Sequence, residues 1–439
     1  MNILHINLAD QARGAAKAAF RLHKAQIKSG HSSQMLVGYK NKSRPEIDML
    51  PLRNTRWQKN LFDFVNRVEE RTGLQYLWQP WKKQFLRHSF MRQTDVINLH
   101  NIHSGYFSHT ILPEMSRMAP LVWTLHDLWS ITGHCSYPYL HDCERWKIGC
   151  GQCPALADYP PISIDTTALL WRIKSSVYQR SDLTLVTPSS WMAELVRQSP
   201  LFKKFEIHCI PHGLDTKVFK PTPKPAARQK LGLPLDAKIV LFSAFDLFQE
   251  RKGGVYLFEA LQRLVDEGRK NLLLVTMGSE HVDLSDKYKF AVHHVGLLQD
   301  EKTMALCYSA ADLYAGPSLA EAFGLVYMEA MACATPVIAF DCTAVPEVVR
   351  HNETGYLARF KEAEDFRHGL QLLLDDDALR EKFGRQSRKI VEQEYTLELQ
   401  AQRYVELYQH VIDKKDHLPS ASFASRSLKS LACSVIGSL

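Results

Sequence analysis

Short apolar runs alternate with amphipathic helical patterns along nearly all of this 439-residue chain, in two series separated by a proline-rich break. Few architectures accept such a pattern. Parallel strands cannot be joined by a tight turn and need a crossover of about a dozen or more residues, which a helix supplies. The first series reads as strands at Asn2–Leu8, Gln34–Gly38, Val96–His100, Leu121–Leu125, Leu183–Val186 and Glu206–Ile210. Helical patterns lie between them at Ala15–Ser29, Trp57–Arg71, Phe107–Arg117, Thr167–Arg180 and Ser190–Gln198. The stretch Lys220 to Pro234 holds Pro221, Pro223, Pro225 and Pro234 and reads as a linker. A second series comes after it, with strands at Ile239–Phe242, Leu272–Met277, Val292–Val295, Leu313–Ala315, Val337–Phe340 and Tyr356–Ala358. The length is too great for one typical domain. The expected fold is α/β, with two doubly wound, Rossmann-like domains facing a cleft: residues 1–212, residues 213–396, and a last helical segment and tail at 397–439.

In such sheets ligands bind at the carboxyl ends of the strands, which directs attention to Ala315–Val348, AGPSLAEAFGLVYMEAMACATPVIAFDCTAVPEV. A strand precedes an Ala-Phe-Gly turn, a helix reads from Leu325 to Ala334, and a second strand comes next. The N–H groups of Phe323, Gly324 and Leu325 stand at the start of that helix, where an anion is favoured. Gly324 allows close backbone approach. Glu321 precedes the helix, within reach of a sugar hydroxyl. Glu329, seven intervening residues later, offers a carboxylate able to accept both hydroxyls of a ribose.

These residues resemble the segment of retaining glycosyltransferases of family four, whose pattern runs "PS-x-x-E-x-F-G-x-x-x-x-E-A-M-A". Pro317, Ser318, Glu321, Phe323, Gly324, Glu329, Ala330, Met331 and Ala332 match it, and Pro336, Val337 and Glu347 match the family's next segment. Ala334 stands where the family often has glycine. The resemblance implies the GT-B architecture, a nucleotide-sugar donor linked to UDP or GDP, and no cofactor needed for the chemistry. It implies that the segment Leu397 to Ile412 is the helix that crosses back to the first domain.

Other motifs extend the resemblance. Asp10, Arg13 and Gly14 come after the first strand, where the family places two or more glycines near the donor. His126 and Asp127 resemble its "T-x-H-D", whose histidine lies near the transferred sugar; a neutral imidazole can donate to a hydroxyl. Pro211-His-Gly-Leu-Asp215 resembles the interdomain turn, with His212 replacing the usual Asn, and Gly213 is expected at a positive φ. Arg251 and Lys252 occupy the place of the Arg and Lys that neutralise the leaving diphosphate, although the family's Arg comes a few residues earlier. The catalytic set is therefore read as His126, Glu321 and Lys252. The donor set is read as Gly14, Arg251, Lys252, Phe323, Gly324, Leu325 and Glu329.

One cluster goes beyond that pattern. Within about 133–156 the chain carries His134, Cys135, His141, Cys143, Cys150 and Cys153. Cys135, Cys143, Cys150 and Cys153 supply four thiolates, enough for a structural Zn²⁺; disulfides and buried free thiols are the other readings. The segment resembles an insertion in a bacterial exopolysaccharide-type branch of the family, and should stand near the acceptor side of the cleft.

Composition sets bounds. The net charge of +7 suits nucleotide phosphates or an acidic membrane surface and is too small to argue for nucleic acid. No apolar run approaches the ~18 residues of a membrane-spanning helix. The opening MNILHINLAD reads as a strand and not as a secretory leader, so a cytoplasmic protein with reduced cysteines is expected. Between Trp57 and Arg92 aromatics interleave with Arg67, Lys82, Lys83 and Arg87, a surface suited to a membrane or a lipid-linked sugar, and equally to a core-facing helix with solvated bases. The tail after His417 is small and polar, and is expected to be disordered or to rest on lipid. The resulting expectation is a hexosyltransferase-type enzyme of polysaccharide biosynthesis, acting with retention on a saccharide or lipid-linked acceptor. A non-catalytic GT-B nucleotide-sugar-binding or scaffold protein, or a GT-B epimerase, are the alternatives.

Overall fold

The computed structural model describes residues 1–11, 13–40, 44–49, 55–279, 284 and 287–417, with Arg13 through its backbone alone. The side chain of Arg13 and the expected behaviour of the tail thus lie outside the described residues. Seven parallel strands form the first sheet, in the order β3-β2-β1-β4-β5-β6-β7. They are β1 (Asn2–Ala9), β2 (Ser32–Tyr39), β3 (Ile47–Met49), β4 (Val96–Leu99), β5 (Leu121–Thr124), β6 (Thr184–Thr187) and β7 (Glu206–Cys209). Six parallel strands form the second, in the order β10-β9-β8-β11-β12-β13. They are β8 (Lys238–Ser243), β9 (Leu272–Met277), β10 (Ala291–His294), β11 (Leu313–Gly316), β12 (Val337–Phe340) and β13 (Gly355–Ala358).

The central strands β4, β5, β11 and β12 are buried at every residue. Helices cover both faces, and such strands therefore read as nearly continuous apolar runs instead of alternating ones. In each sheet the strand order reverses once, between β1 and β4 and again between β8 and β11. Crossovers leave in opposite directions at these points, and a crevice opens beyond the carboxyl ends of the strands.

Two expectations are corrected. The presumed linker contains the helix Lys224–Leu231, with Pro225 in its first turn and Gly232 ending it at φ 66°. Proline there loses no helical hydrogen bond, so proline density marked a helix start. The helix is anchored by Arg228, which donates to Asp312 Oδ2 at 2.8 Å. Gly213 does not adopt a positive φ. A Cβ there would sit 2.6 Å from the Thr396 carbonyl oxygen and 2.9 Å from Leu397 Cα; close backbone approach is what requires glycine. The short elements β3, Lys82–Arg87 and Ser89–Arg92 were not anticipated.

The helix Leu397–His417 lies on the first sheet, packing Leu397, Ala401, Tyr404, Leu407 and Tyr408 against Ile3, Val96, Val122 and Val186. Asn98 Nδ2 donates to the Tyr408 hydroxyl at 2.7 Å, and the Tyr404 hydroxyl shares a 3.0 Å bond with Thr124. Beside Gly213, Leu214 N–H donates to the Tyr395 carbonyl at 2.8 Å.

A Gly213→Ala substitution should force these two backbones apart and destabilise the protein by about 1–3 kcal/mol. Urea unfolding measures it, and an unchanged midpoint would show that the junction yields freely.

Candidate active site

The second switch point gathers the charged residues. Lys252 closes a 3₁₀ turn, Glu250–Lys252, between β8 and the helix Gly254–Asp266. Gly253, at φ 64°, lets this loop lie on the loop after β11: a Cβ there would be 1.9 Å from the Pro317 carbonyl oxygen. The packing places Lys252 Nζ 2.5 Å from Glu321 Oε1, with Arg251 Nη1 at 3.7 Å from the same oxygen. Arg251 also donates to the Ala320 carbonyl at 2.9 Å and lies over the Tyr137 ring, 4.7 Å from its centroid. Its Nε is buried without a partner. Burial, and then the like charge of Arg251, push the Lys252 ammonium below its usual range. Burial opposes ionisation of Glu321, but Lys252 and Arg251 outweigh it and hold the carboxyl below its usual value. Two cations face one carboxylate, so this half of the cleft carries surplus positive charge.

The Ala-Phe-Gly turn is shaped around Tyr327, whose hydroxyl donates to the Gly316 carbonyl at 2.9 Å. A Cβ on Gly316 would lie 2.1 Å from that ring, and one on Gly324, at φ 97°, 2.4 Å from it. The helix runs Leu325–Ala332, and Tyr327 N–H bonds back to the Gly324 carbonyl at 3.1 Å. The N–H groups of Phe323, Gly324 and Leu325 therefore precede the helical ladder. Ala334, the departure noted in the sequence, sits at φ 57°, a left-handed conformation that explains a preference for glycine there.

Glu329 does not present the open, two-point acceptor expected of it. Its side chain is 3% exposed, Oε1 accepts from Arg21 Nη2 at 2.7 Å, and Oε2 accepts from the Tyr308 hydroxyl at 3.0 Å. Arg21 comes from the helix Arg13–Lys28 of the first domain and also donates through Nε to Glu301 at 2.8 Å. Burial alone would lower its basicity, but Glu329 and Glu301 more than compensate and raise it. A carboxylate this deeply buried needs a cation, and the facing domain supplies one. Periodicity places Arg21 on a helix but says nothing of what lies opposite, so the sequence reading missed it.

Further contacts join the domains. The Glu347 carboxylate accepts the N–H groups of Ser190 (2.8 Å) and Trp191 (2.7 Å) at the start of the helix Ser190–Gln198. The Ser189 hydroxyl donates to the Ala322 carbonyl at 2.7 Å. Gly14 faces the start of the helix Leu325–Ala332, where a Cβ would meet only Leu325 Cδ1 at 3.8 Å. Packing within the protein therefore does not demand glycine at 14.

His126 comes just after β5 and is half-buried, its pKa lowered to about 4 by burial. Its ring stacks on His212 at 5.3 Å and 13°, and His212 meets Phe323 edge-on at 5.3 Å. His212 thus bridges the histidine of one domain and the glycine turn of the other. Asp127 accepts from His103 Nε2 at 2.9 Å and from Trp129 N–H at 3.0 Å, and so braces the loop. His5, His100 and His103 were missed in the sequence; the run "NLHNIH" at a strand end was the one signal for His100 and His103.

The insertion folds around its cysteines. Gly149, Cys150, Gly151 and Gln152 all have positive φ. Cys135, Cys143, Cys150, Cys153 and His134 line one void with room for about one water (about 10 Å³). Gly133 N–H donates to Cys150 Sγ at 3.2 Å, and His134 Nε2 lies 3.3 Å from Cys153 Sγ. The four are free thiols, and burial pushes Cys135 up to about 12 and Cys150 up to about 11. The donor set has the chemistry of a zinc site. Its geometry does not fit one: among the described residues, no group of three or more His, Cys, Asp or Glu is placed to hold a metal ion. Leu140, in the same insertion, packs on the core of the second domain.

Comparison with known proteins agrees with this arrangement. Residues 12–218 match the family described as Glycosyltransferase Family 4, and residues 223–390 match Glycosyl transferases group 1. The chain is 26% identical over 372 residues to an Escherichia coli K12 protein assigned to colanic acid biosynthesis as glycosyl transferase WcaC, covering 80% of this chain and 85% of that one. It is 28% identical over 276 residues to the D-inositol 3-phosphate glycosyltransferase of Corynebacterium aurimucosum, covering 60% and 62%. Sucrose-phosphate synthase from Thermosynechococcus elongatus superposes with a TM-score of 0.68 at 20% identity, over 94% of this chain and 100% of that one. Anabaena HepE, in complex with UDP and glucose, superposes with a TM-score of 0.65 at 17% identity, over 93% and 100%. The chain belongs to the group 1, family four glycosyltransferases and has their GT-B fold.

Because Arg21 and Glu329 neutralise one another out of water, removing one partner should be worse than removing both. Glu329→Ala is expected to destabilise by about 3–5 kcal/mol. The double variant with Arg21→Ala should recover part of that loss, with a coupling of about 0.5–3 kcal/mol. A urea double-mutant cycle reads this directly, and strict additivity would show that the two side chains do not share their charge.

Proposed function

We propose that this group 1 glycosyltransferase moves a sugar, with retention, from a UDP- or GDP-linked donor to a saccharide or lipid-linked saccharide during polysaccharide assembly. The observation that carries the reading is the pair Arg251 and Lys252 around Glu321 at the second switch point, across the cleft from His126. A departing nucleoside diphosphate develops negative charge. Preorganised cations beside it stabilise that charge without reorganising when the bond breaks. In this scheme the outer phosphate takes over Lys252, and Glu321, released from it, accepts a hydroxyl of the sugar. The Arg251 guanidinium has a buried, unpartnered Nε to offer a second oxygen. The ribose goes to Glu329, and Arg21 must yield one carboxylate oxygen to admit it. Positioning and charge neutralisation account for the catalysis in this reading.

The relatives support it in kind. HepE is seen with UDP and glucose, and the name of the E. coli relative refers to colanic acid biosynthesis. Contact with a cytoplasmic membrane face is part of the same proposal. Trp57 (70% exposed), Phe64 (56%) and Trp78 (57%) stand out from the first domain. Exposed Lys59, Arg67, Arg71 and Lys83 lie near them in the chain. Such a mixture suits an anionic lipid surface carrying the acceptor. No helix among the described residues is long and apolar enough to cross a membrane.

Purified protein offered UDP- and GDP-sugars should release the matching nucleoside diphosphate. Lys252→Ala should weaken diphosphate binding by about 1.5–3 kcal/mol, or roughly 10- to 150-fold, with a smaller effect on the monophosphate. Calorimetry with both nucleotides separates the cases. Equal losses for the two would remove Lys252 from the phosphate site, and absence of turnover with every donor would reject the transferase reading.

A further inference from the structure

The first domain contains a hydrogen-bonded file of side chains leading from its core to the cleft. Gln26 Oε1 lies 2.7 Å from His5 Nε2. His5 Nδ1 lies 3.0 Å from His100 Nε2, and His100 Nδ1 lies 3.0 Å from His126 Nε2. The rings of His5 and His100 stack at 5.2 Å, and those of His100 and His126 approach to 5.3 Å. Gln26, His5 and His100 are at most 2% exposed. His5 and His100 occupy β1 and the residue after β4, which adjoin at the first switch point, and His126 lies beyond the end of β5. The file thus ends where the strand order opens the crevice.

Burial keeps the rings neutral, lowering His5 to about 4, as it does His126, and His100 well below its usual value. A neutral imidazole has one N–H and one lone pair. One end of the file therefore determines the rest. The Gln26 carbonyl oxygen can only accept, so His5 carries its proton on Nε2 and accepts at Nδ1. His100 must then donate from Nε2 and accept at Nδ1, and His126 in turn donates from Nε2. That leaves the His126 Nδ1 lone pair as the ring nitrogen available to a bound molecule.

We propose that Gln26, His5 and His100 are positioning residues which hold His126 in its Nε2–H tautomer, so that its Nδ1 accepts a hydrogen bond from a hydroxyl of the bound sugar. The role differs from the donor role expected from the sequence alone. The consequence for substrate is chemical: the group met at this point is a hydroxyl able to donate, and a sugar bearing an ether or deoxy carbon there is discriminated against, because the lone pair would be left unpaired. The inference rests on reading the cleft as the site of sugar transfer, but its primary readout does not.

Full-length protein labelled with ¹⁵N-histidine gives ring ¹⁵N shifts that distinguish the two tautomers, with the His126 resonance assigned by loss in His126→Gln. His126 is expected as a single Nε2–H tautomer. Gln26→Leu removes the acceptor that orients the file, and should convert His126 to a mixture and lower kcat on the order of 10- to 100-fold, with UDP affinity unchanged. His100→Gln serves as a second break in the file, and retained UDP binding shows that each variant is folded. An Nδ1–H tautomer in the parent protein would mean the Gln26 amide is turned over, reversing every bond, and would overturn the proposal. So would an unchanged tautomer in both variants. Failure of the parent protein to transfer any sugar would sink the transferase reading while leaving the tautomer result intact.

Discussion

Charge buried at the interface of the two domains governs this structure. Glu321 and Glu329 leave the same turn-and-helix segment, and each is compensated in a different way: Glu321 by Lys252 and Arg251 of its own domain, Glu329 by Arg21 of the other. An uncompensated carboxylate at such depth would be destabilising by several kcal/mol. The position of the helix Arg13–Lys28 is therefore tied to the second domain electrostatically as well as by packing. The contacts of Glu347 with the helix start at Ser190 and of Ser189 with Ala322 act in the same direction. All of them draw the facing surfaces of the two domains together.

The backbone makes that arrangement possible. Both sheets present their carboxyl ends to the cleft, and both switch points lie there. Loops at these points cross closely, as the space above Gly253 shows: the Pro317 carbonyl occupies the place a side chain would take. A rigid scaffold under each charged group reduces the reorganisation required when a ligand arrives.

Much of this was legible in the sequence, for identifiable reasons. Strands buried on both faces are apolar at most positions, so β4, β5, β9 and β12 stand out from the chain. Glu321, Phe323, Gly324 and Lys252 could be found because local motifs encode local geometry. What escaped notice was long-range or conformational. Arg21 matters because of a residue 308 positions away. His5 and His100 are 95 positions apart yet share a hydrogen bond, and only sheet order makes strands β1 and β4 neighbours. The helix Lys224–Leu231 was obscured because proline breaks a helix interior but suits its first turn. The cysteines were gathered as a set, as their spacing suggested, but chemistry and spacing alone could not give the separations on which metal binding depends.

The two walls of the cleft differ in electrostatic kind, and burial produces the difference. On one wall Arg251 and Lys252 remain cationic beside a carboxylate. On the other, His126 lies in a file of imidazoles with no carboxylate among its ring hydrogen-bond partners, and desolvation lowers its pKa to about 4. Asp127, adjacent in sequence, favours the charged form of His126, but the effect of burial is larger and its carboxylate is engaged by His103. Were His126 cationic at neutral pH, it would, in the proposed scheme, attract the same phosphates as Lys252 and blur the orientation of a donor across the cleft. A neutral acceptor does not compete for anions, yet can still orient a hydroxyl. Separation of the cationic wall from the neutral one therefore stems from which histidines the first sheet buries and which carboxylates it keeps from them.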